Sequence, residues 1–167
     1  MNNKSSYIAQ GALVASLYIL LTLASNLFGM ANGIIQIRLS EALTILPMFT
    51  PSAIPGLFVG CVISNIITGC MPLDVICGGL ATLAGAYGTY LLRRNKYLAC
   101  LPPIMANILI IPWILSVVYN FEGSILYFTI TILIGETISV GVLGLFLART
   151  LEPYRDRLGW NNLKEKK

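Results

Sequence analysis

Residues 7–28 read YIAQGALVASLYILLTLASNLF, 22 residues without a charge. A helix needs about 20 such residues to cross a bilayer, so this stretch decides what solvates the chain. Leu98–Phe121 repeats the pattern without a charge, and Ser124–Leu147 repeats it with one, Glu136. Only 11% of the 167 residues are charged and 56% are hydrophobic, whereas a soluble domain carries about 25% charged residues. The sequence is that of an all-α integral membrane protein. One lysine precedes the first stretch, but no small-residue cleavage pattern follows a short apolar core. The segment is therefore expected to stay as a spanning helix.

The charges that remain set the topology. Ten of the eleven Lys and Arg fall at Lys4, at Arg93, Arg94 and Lys96, and from Arg149 onward. Basic residues collect on the cytoplasmic side, so both termini and the loop near residue 95 are expected there. The basic tail 150–167 reads as a topology anchor rather than a nucleic-acid patch. Between Gly, Pro and Asn breakers the chain divides into six helices, about 7–28, 39–49, 55–68, 74–92, 98–119 and 124–149, forming one membrane domain. The second and third are short for spans. A four-crossing alternative, with those two as a re-entrant hairpin, satisfies the same charge rule and stays open. Small residues recur at four-residue spacing in Gly11, Ala12, Ala15 and Ser16, in Gly78, Thr82 and Ala86, and in Gly144 and Ala148. Such faces let helices approach closely in lipid. On the first helix they serve either packing within the chain or docking to a second membrane protein.

Several chemistries are excluded. There is no histidine, which removes the commonest general base and metal ligand. Cys61, Cys70, Cys77 and Cys100 lack metal-ligand spacing and read as packing residues. No GxxxxGK[ST] phosphate loop is present, so energy for uphill transport would come from partner subunits or a coupled ion. No catalytic constellation and no cofactor site emerges.

Against this background the stretch QIRLSEALTILP, residues 36–47, stands out, because Arg38 is the one cation between Lys4 and Arg93. The topology places Arg38, Glu41, Asn65, Asp74, Trp113, Tyr119 and Tyr127 in the outer half of the bundle, with Glu136 near mid-helix beside Thr137 and Ser139. A charge at the bilayer centre costs about 2.5–3.5 kcal/mol even on the lenient scale, so Glu136 must face the interior. Plainer roles stand beside the functional ones. Asp74 can cap a helix start, Arg38 and Glu41 can pair with each other, and the tyrosines can belong to an interfacial belt. Glu122 reads as a solvated loop charge. As a set, carboxylates accept N–H donors, Arg donates to a carbonyl or holds a carboxylate, and aromatics stack on flat rings. A planar, amide-edged heterocycle fits, with or without a positive charge; a phosphate or carboxylate ligand fits poorly.

The runs IQIRLSEALTILP, FTPSAIPGLFVGCVISNI and PLDVICGGLATLAG resemble the QueT family, and the likeness extends over nearly the whole chain. Members are the substrate-binding membrane components (S components) of energy-coupling-factor (ECF) transporters for queuosine precursors. The resemblance implies a six-transmembrane-helix bundle in the bacterial cell membrane. It also implies a 7-deazaguanine ligand (preQ1, preQ0 or queuine), a transmembrane coupling protein and two cytoplasmic ATPases. Gly11, Ala12 and Ala15 resemble the small-residue face that meets the coupling protein, with glycine where the family pattern has alanine. Glu41 and Glu136 then take the carboxylate roles, Arg38 orients Glu41 or meets the ring carbonyl, Asn65 and Asp74 are secondary, and Trp113, Tyr119 and Tyr127 are stacking platforms. Two rivals remain. One is a secondary transporter with Glu136 as proton carrier, against which no inverted repeat is visible. The other is a ligand-free scaffold.

Overall fold

The computed structural model describes residues 3–30, 36–118 and 124–154. Tyr119, Glu122, part of the outer loop and the basic tail beyond Tyr154 lie outside the described residues. Within them the chain is all helix: α1 (Asn3–Leu27), α2 (Leu39–Met48), α3 (Ala53–Ile67), α4 (Pro72–Leu91), α5 (Lys96–Val117) and α6 (Ile125–Tyr154). Six helices were expected and six are described. Helices α1, α5 and α6 are long and apolar enough to cross a membrane.

The surface is apolar, unlike that of a soluble protein, and the interior mixes apolar clusters with buried hydroxyls. Leu13, Leu20, Ile66, Leu80, Leu109 and Phe146 are exposed, whereas Ser40, Thr44, Ser52, Ser64, Thr89 and Ser139 are buried. Lipid solvates the apolar faces, and several of the inward hydroxyls bond back to their own helices. Ser25 and Ser64, for instance, donate to the carbonyls of Leu21 and Cys61 at 2.9 and 3.0 Å. The chain is a helical membrane bundle. Helices α1 and α3 both end on a left-handed glycine, Gly29 (φ 68°) and Gly69 (φ 76°). In each case the next N–H reaches five residues back, Met30 to Ser25 and Cys70 to Asn65 at 2.9 Å. Only glycine adopts this cap without a Cβ penalty.

Missing side chains set how closely the helices approach. A Cβ on Gly56 would sit 2.5 Å from the Gly11 carbonyl oxygen, and one on Gly60 would sit 3.0 Å from that of Ala15. Likewise a Cβ on Gly85 would sit 2.6 Å from Pro103 Cα, where α4 meets α5. The α1 face therefore packs within the chain, against α3. Ala15 is buried in that seam and Gly11 is part of it, whereas Ala12 stays exposed.

The second helix is wound differently from its neighbours. It is a ten-residue 3-10 helix whose residues 40–47 are all buried, so it threads the interior and faces no lipid. At about 2 Å per residue it spans only ~20 Å. Its sequence opposes an α-helix at two points. Pro47 has no N–H to donate, and the Thr44 hydroxyl donates to the Glu41 carbonyl at 2.6 Å. Helix α6 also departs from α geometry: it is α-helical to Glu136, then π-helical over Thr137–Gly144. The segment before α2 rests on it, because Gly135 leaves room for the Gln36 carbonyl. The other helices thus surround α2, which carries its polar groups into the centre.

Candidate functional site

Arg38 ends the extended segment that leads into α2 (φ −101°, ψ 105°). Glu41 lies in the first turn of that helix and is 2% exposed. Because α2 is enclosed, the carboxyl points at neighbouring helices rather than along its own. The Tyr18 hydroxyl of α1 donates to Glu41 Oε1 at 2.5 Å. One turn further along α1, Thr22 donates to Ser40 at 2.9 Å, and Leu39 N–H donates to Ser25 Oγ at 3.0 Å. Three contacts thus fix the register of α2 on α1, and with it the aim of Glu41.

Glu136 enters from α6, at the residue just before its π-helical stretch, and is 8% exposed. The Asn107 amide of α5 donates to its Oε1 at 2.7 Å. The two glutamates line one cavity with Gln36, Arg38, Cys61, Gly78, Thr82, Asn107, Ile111 and Ile132. Its free space is about 20 Å³, enough for one water-sized group. Asn107 also interacts with Glu41, and the two carboxyls lie in each other's field. Arg38 lies in the field of both Glu41 and Asp74. Each carboxyl has a second oxygen, Oε2, that is buried with no partner, as does Ser139 Oγ one turn beyond Glu136. A buried acceptor left unpaired costs about 1–3 kcal/mol. The two glutamate orphans, on residues that line one cavity, are therefore places where a donor-bearing guest gains most.

The structure brings together Arg38, Glu41 and Glu136. Asn65 and Asp74 stand just behind the wall formed by Gly78: a Cβ there would lie 3.2 Å from Asn65 Nδ2 and 3.7 Å from Asp74 Oδ1. Two of the expected stacking residues are not at the cavity. Trp113 is 57% exposed and lines an outer groove with Cys77 and Ile110, and Tyr127 is 47% exposed beside Phe128. Both follow helix periodicity outward: the α5 face that holds Asn107 inward turns Leu109 and Trp113 to lipid. Tyr18 and Asn107 were missed by sequence reasoning. The signal for Asn107 was present, as the lone amide in the span LPPIMANILIIPWILSV. Tyr18 gave none beyond being a hydroxyl in mid-span. Among the described residues no group of three His, Cys, Asp or Glu is placed to hold a metal.

No solved structure matches the chain. A queuosine precursor transporter QueT from Lactococcus lactis subsp. cremoris (strain MG1363) is 40% identical over 95 residues, which cover 56% of this chain and 56% of the relative. The aligned part thus spans little more than half the length of that curated relative. The profile of the family described as QueT transporter matches residues 8–153. That match takes in every residue of the cavity and all but the ends of the bundle: the chain belongs to the QueT transporter family.

Proposed function

We propose that the chain is the substrate-binding S component of an ECF-type importer. It captures a queuosine precursor of the 7-deazaguanine class from outside the cell. The observation that carries this reading is the buried cavity in which two glutamates from different helices each leave one carboxyl oxygen without a partner. A 7-deazaguanine offers N–H donors to such oxygens and a carbonyl to Arg38 or Asn107. The family membership and the printed function of the Lactococcus relative support the substrate class.

ATP hydrolysis belongs to two separate cytoplasmic subunits, joined through a transmembrane coupling protein. On this reading the chain binds and delivers, and is not an enzyme. Ala12 stays exposed beside the α1–α3 seam, and the groove along that seam, lined by Tyr7, Ile8, Gly11, Ala12, Pro55, Gly56 and Val59, is the surface offered to the coupling protein. Its volume is about 360 Å³ and it is almost wholly apolar. Both termini face the cytoplasm of a bacterial cell.

Thermal unfolding of the purified chain in detergent tests the reading. At a hundred times its Kd, a bound 7-deazaguanine stabilises by about 2.7 kcal/mol, a clear rise in Tm. Guanosine or an unrelated planar base should give none. No shift with any 7-deazaguanine would end the proposal. Uptake in cells that persists without the ATPases but collapses with a proton ionophore would replace it with a proton-coupled carrier.

Tyr18 provides a second check. Tyr18→Phe removes the donor to Glu41 Oε1. A hydrogen bond to a charged group is worth about 1.5–3 kcal/mol, so ligand affinity by isothermal titration is expected to change by roughly tenfold or more. Unchanged affinity would remove Glu41 from the site.

A further inference from the structure

The pair of orphan oxygens has a narrower implication, which rests on the proposed 7-deazaguanine reading. We infer that Glu41 and Glu136 together form an ammonium subsite, so that the site takes the 7-deazaguanine bearing a protonated aminomethyl group and rejects its 7-cyano counterpart.

Three observations carry this. First, the engaged oxygens are already served by protein donors, Tyr18 for Glu41 and Asn107 for Glu136, and the free ones belong to two different helices, α2 and α6. A ring edge presents its N–H groups parallel and in one plane, which suits a single carboxylate. An ammonium presents three donors in diverging directions and can reach two carboxylates at once. Second, the open space of about 20 Å³ admits a water-sized group and no bicyclic ring. The part of the site that is already formed therefore fits an –NH3+ group, and the ring occupies space that opens on binding. Third, two carboxylates face one guanidinium at the cavity, so one positive charge on the guest balances the set. A nitrile has no donor. It would set its own acceptor against both oxygens and leave each unpaired, and a site built for a substrate N–H discriminates strongly against analogues that lack it.

Isothermal titration of the full chain in detergent with 7-aminomethyl- and 7-cyano-7-deazaguanine, in sodium and in choline buffers, tests the subsite. The amine is expected to bind at least ~100-fold tighter than the nitrile in both buffers. In Glu136→Gln that ratio should shrink below about tenfold, with Glu41→Gln as a second variant should the first not fold. Equal affinities in the parent protein would overturn the subsite while leaving the 7-deazaguanine reading intact. Amine binding suppressed by sodium, with a ratio near one in choline, would assign the carboxylates to a metal ion and overturn it as well. Binding of neither compound would overturn the broader reading and the subsite with it.

Discussion

The Glu41→Gln/Glu136→Gln double variant is expected to lose affinity for an aminomethyl 7-deazaguanine by about 10²–10⁴-fold while unfolding no sooner than the parent. The two effects have different causes. Each glutamate presents an unpaired buried oxygen to the cavity, and each charged hydrogen bond to a guest is worth about 1.5–3 kcal/mol. Two of them multiply to the stated range. Stability moves the other way, because the ligand-free protein holds two carboxyls out of water in one small space, and removing buried charge is often neutral or stabilising. The amides keep their shape and can still accept from Tyr18 and donate. Titration for affinity and thermal unfolding for stability separate the two. A variant that binds normally would place the site elsewhere, and one that simply unfolds would make the glutamates structural.

Gly135→Ala is expected to lower Tm by roughly 2–12 °C, from overpacking at about 1–3 kcal/mol and about two to four degrees per kcal/mol. It should also weaken ligand binding. A Cβ at Gly135 meets the Gln36 carbonyl, backbone against backbone, so no side-chain rotation relieves the overlap. Either α6 tilts away, moving Glu136, or the extended segment shifts, moving Gln36 and Arg38 at the cavity. Gly141→Ala on the same helix is the control. Its Cβ would find only Thr137 Cγ2 at an ordinary 3.6 Å, and alanine favours a helix over glycine by about 1 kcal/mol. Gly141→Ala should hold or raise Tm with affinity unchanged. Equal behaviour of the two variants would mean that α6 and the Gln36 segment do not approach as described.

Much of this molecule could be read without coordinates. The long charge-free runs fixed the solvent and fold class, and the glycine and proline punctuation placed six helices. The cost of burying Glu136 in lipid turned it inward before any neighbour was known. Arg38 and Glu41 stood out for the same reason, as charges in a chain that has almost none. The aromatic residues were less legible. Trp113 and Tyr127 were assigned to the cavity on their depth along the helix, and depth says nothing about which way a side chain faces. In lipid both faces of a helix are apolar, so the hydrophobic periodicity that orients a soluble helix is nearly flat here. The inward aromatic, Tyr18, and the inward amide, Asn107, were therefore hidden among neutral neighbours.

What the sequence determined by itself is the medium and the scarcity of charge, because transfer free energies act residue by residue and need no partner. What only the tertiary structure decided is pairing. It wound the 39–48 stretch as a buried 3-10 helix instead of a lipid-facing one, and it committed the Gly11–Ala15 face to Gly56 and Gly60. It also left one oxygen of each glutamate facing the same small space. Those outcomes depend on distances between residues as much as a hundred positions apart, and hydrogen bonds and steric contacts act only at such short range.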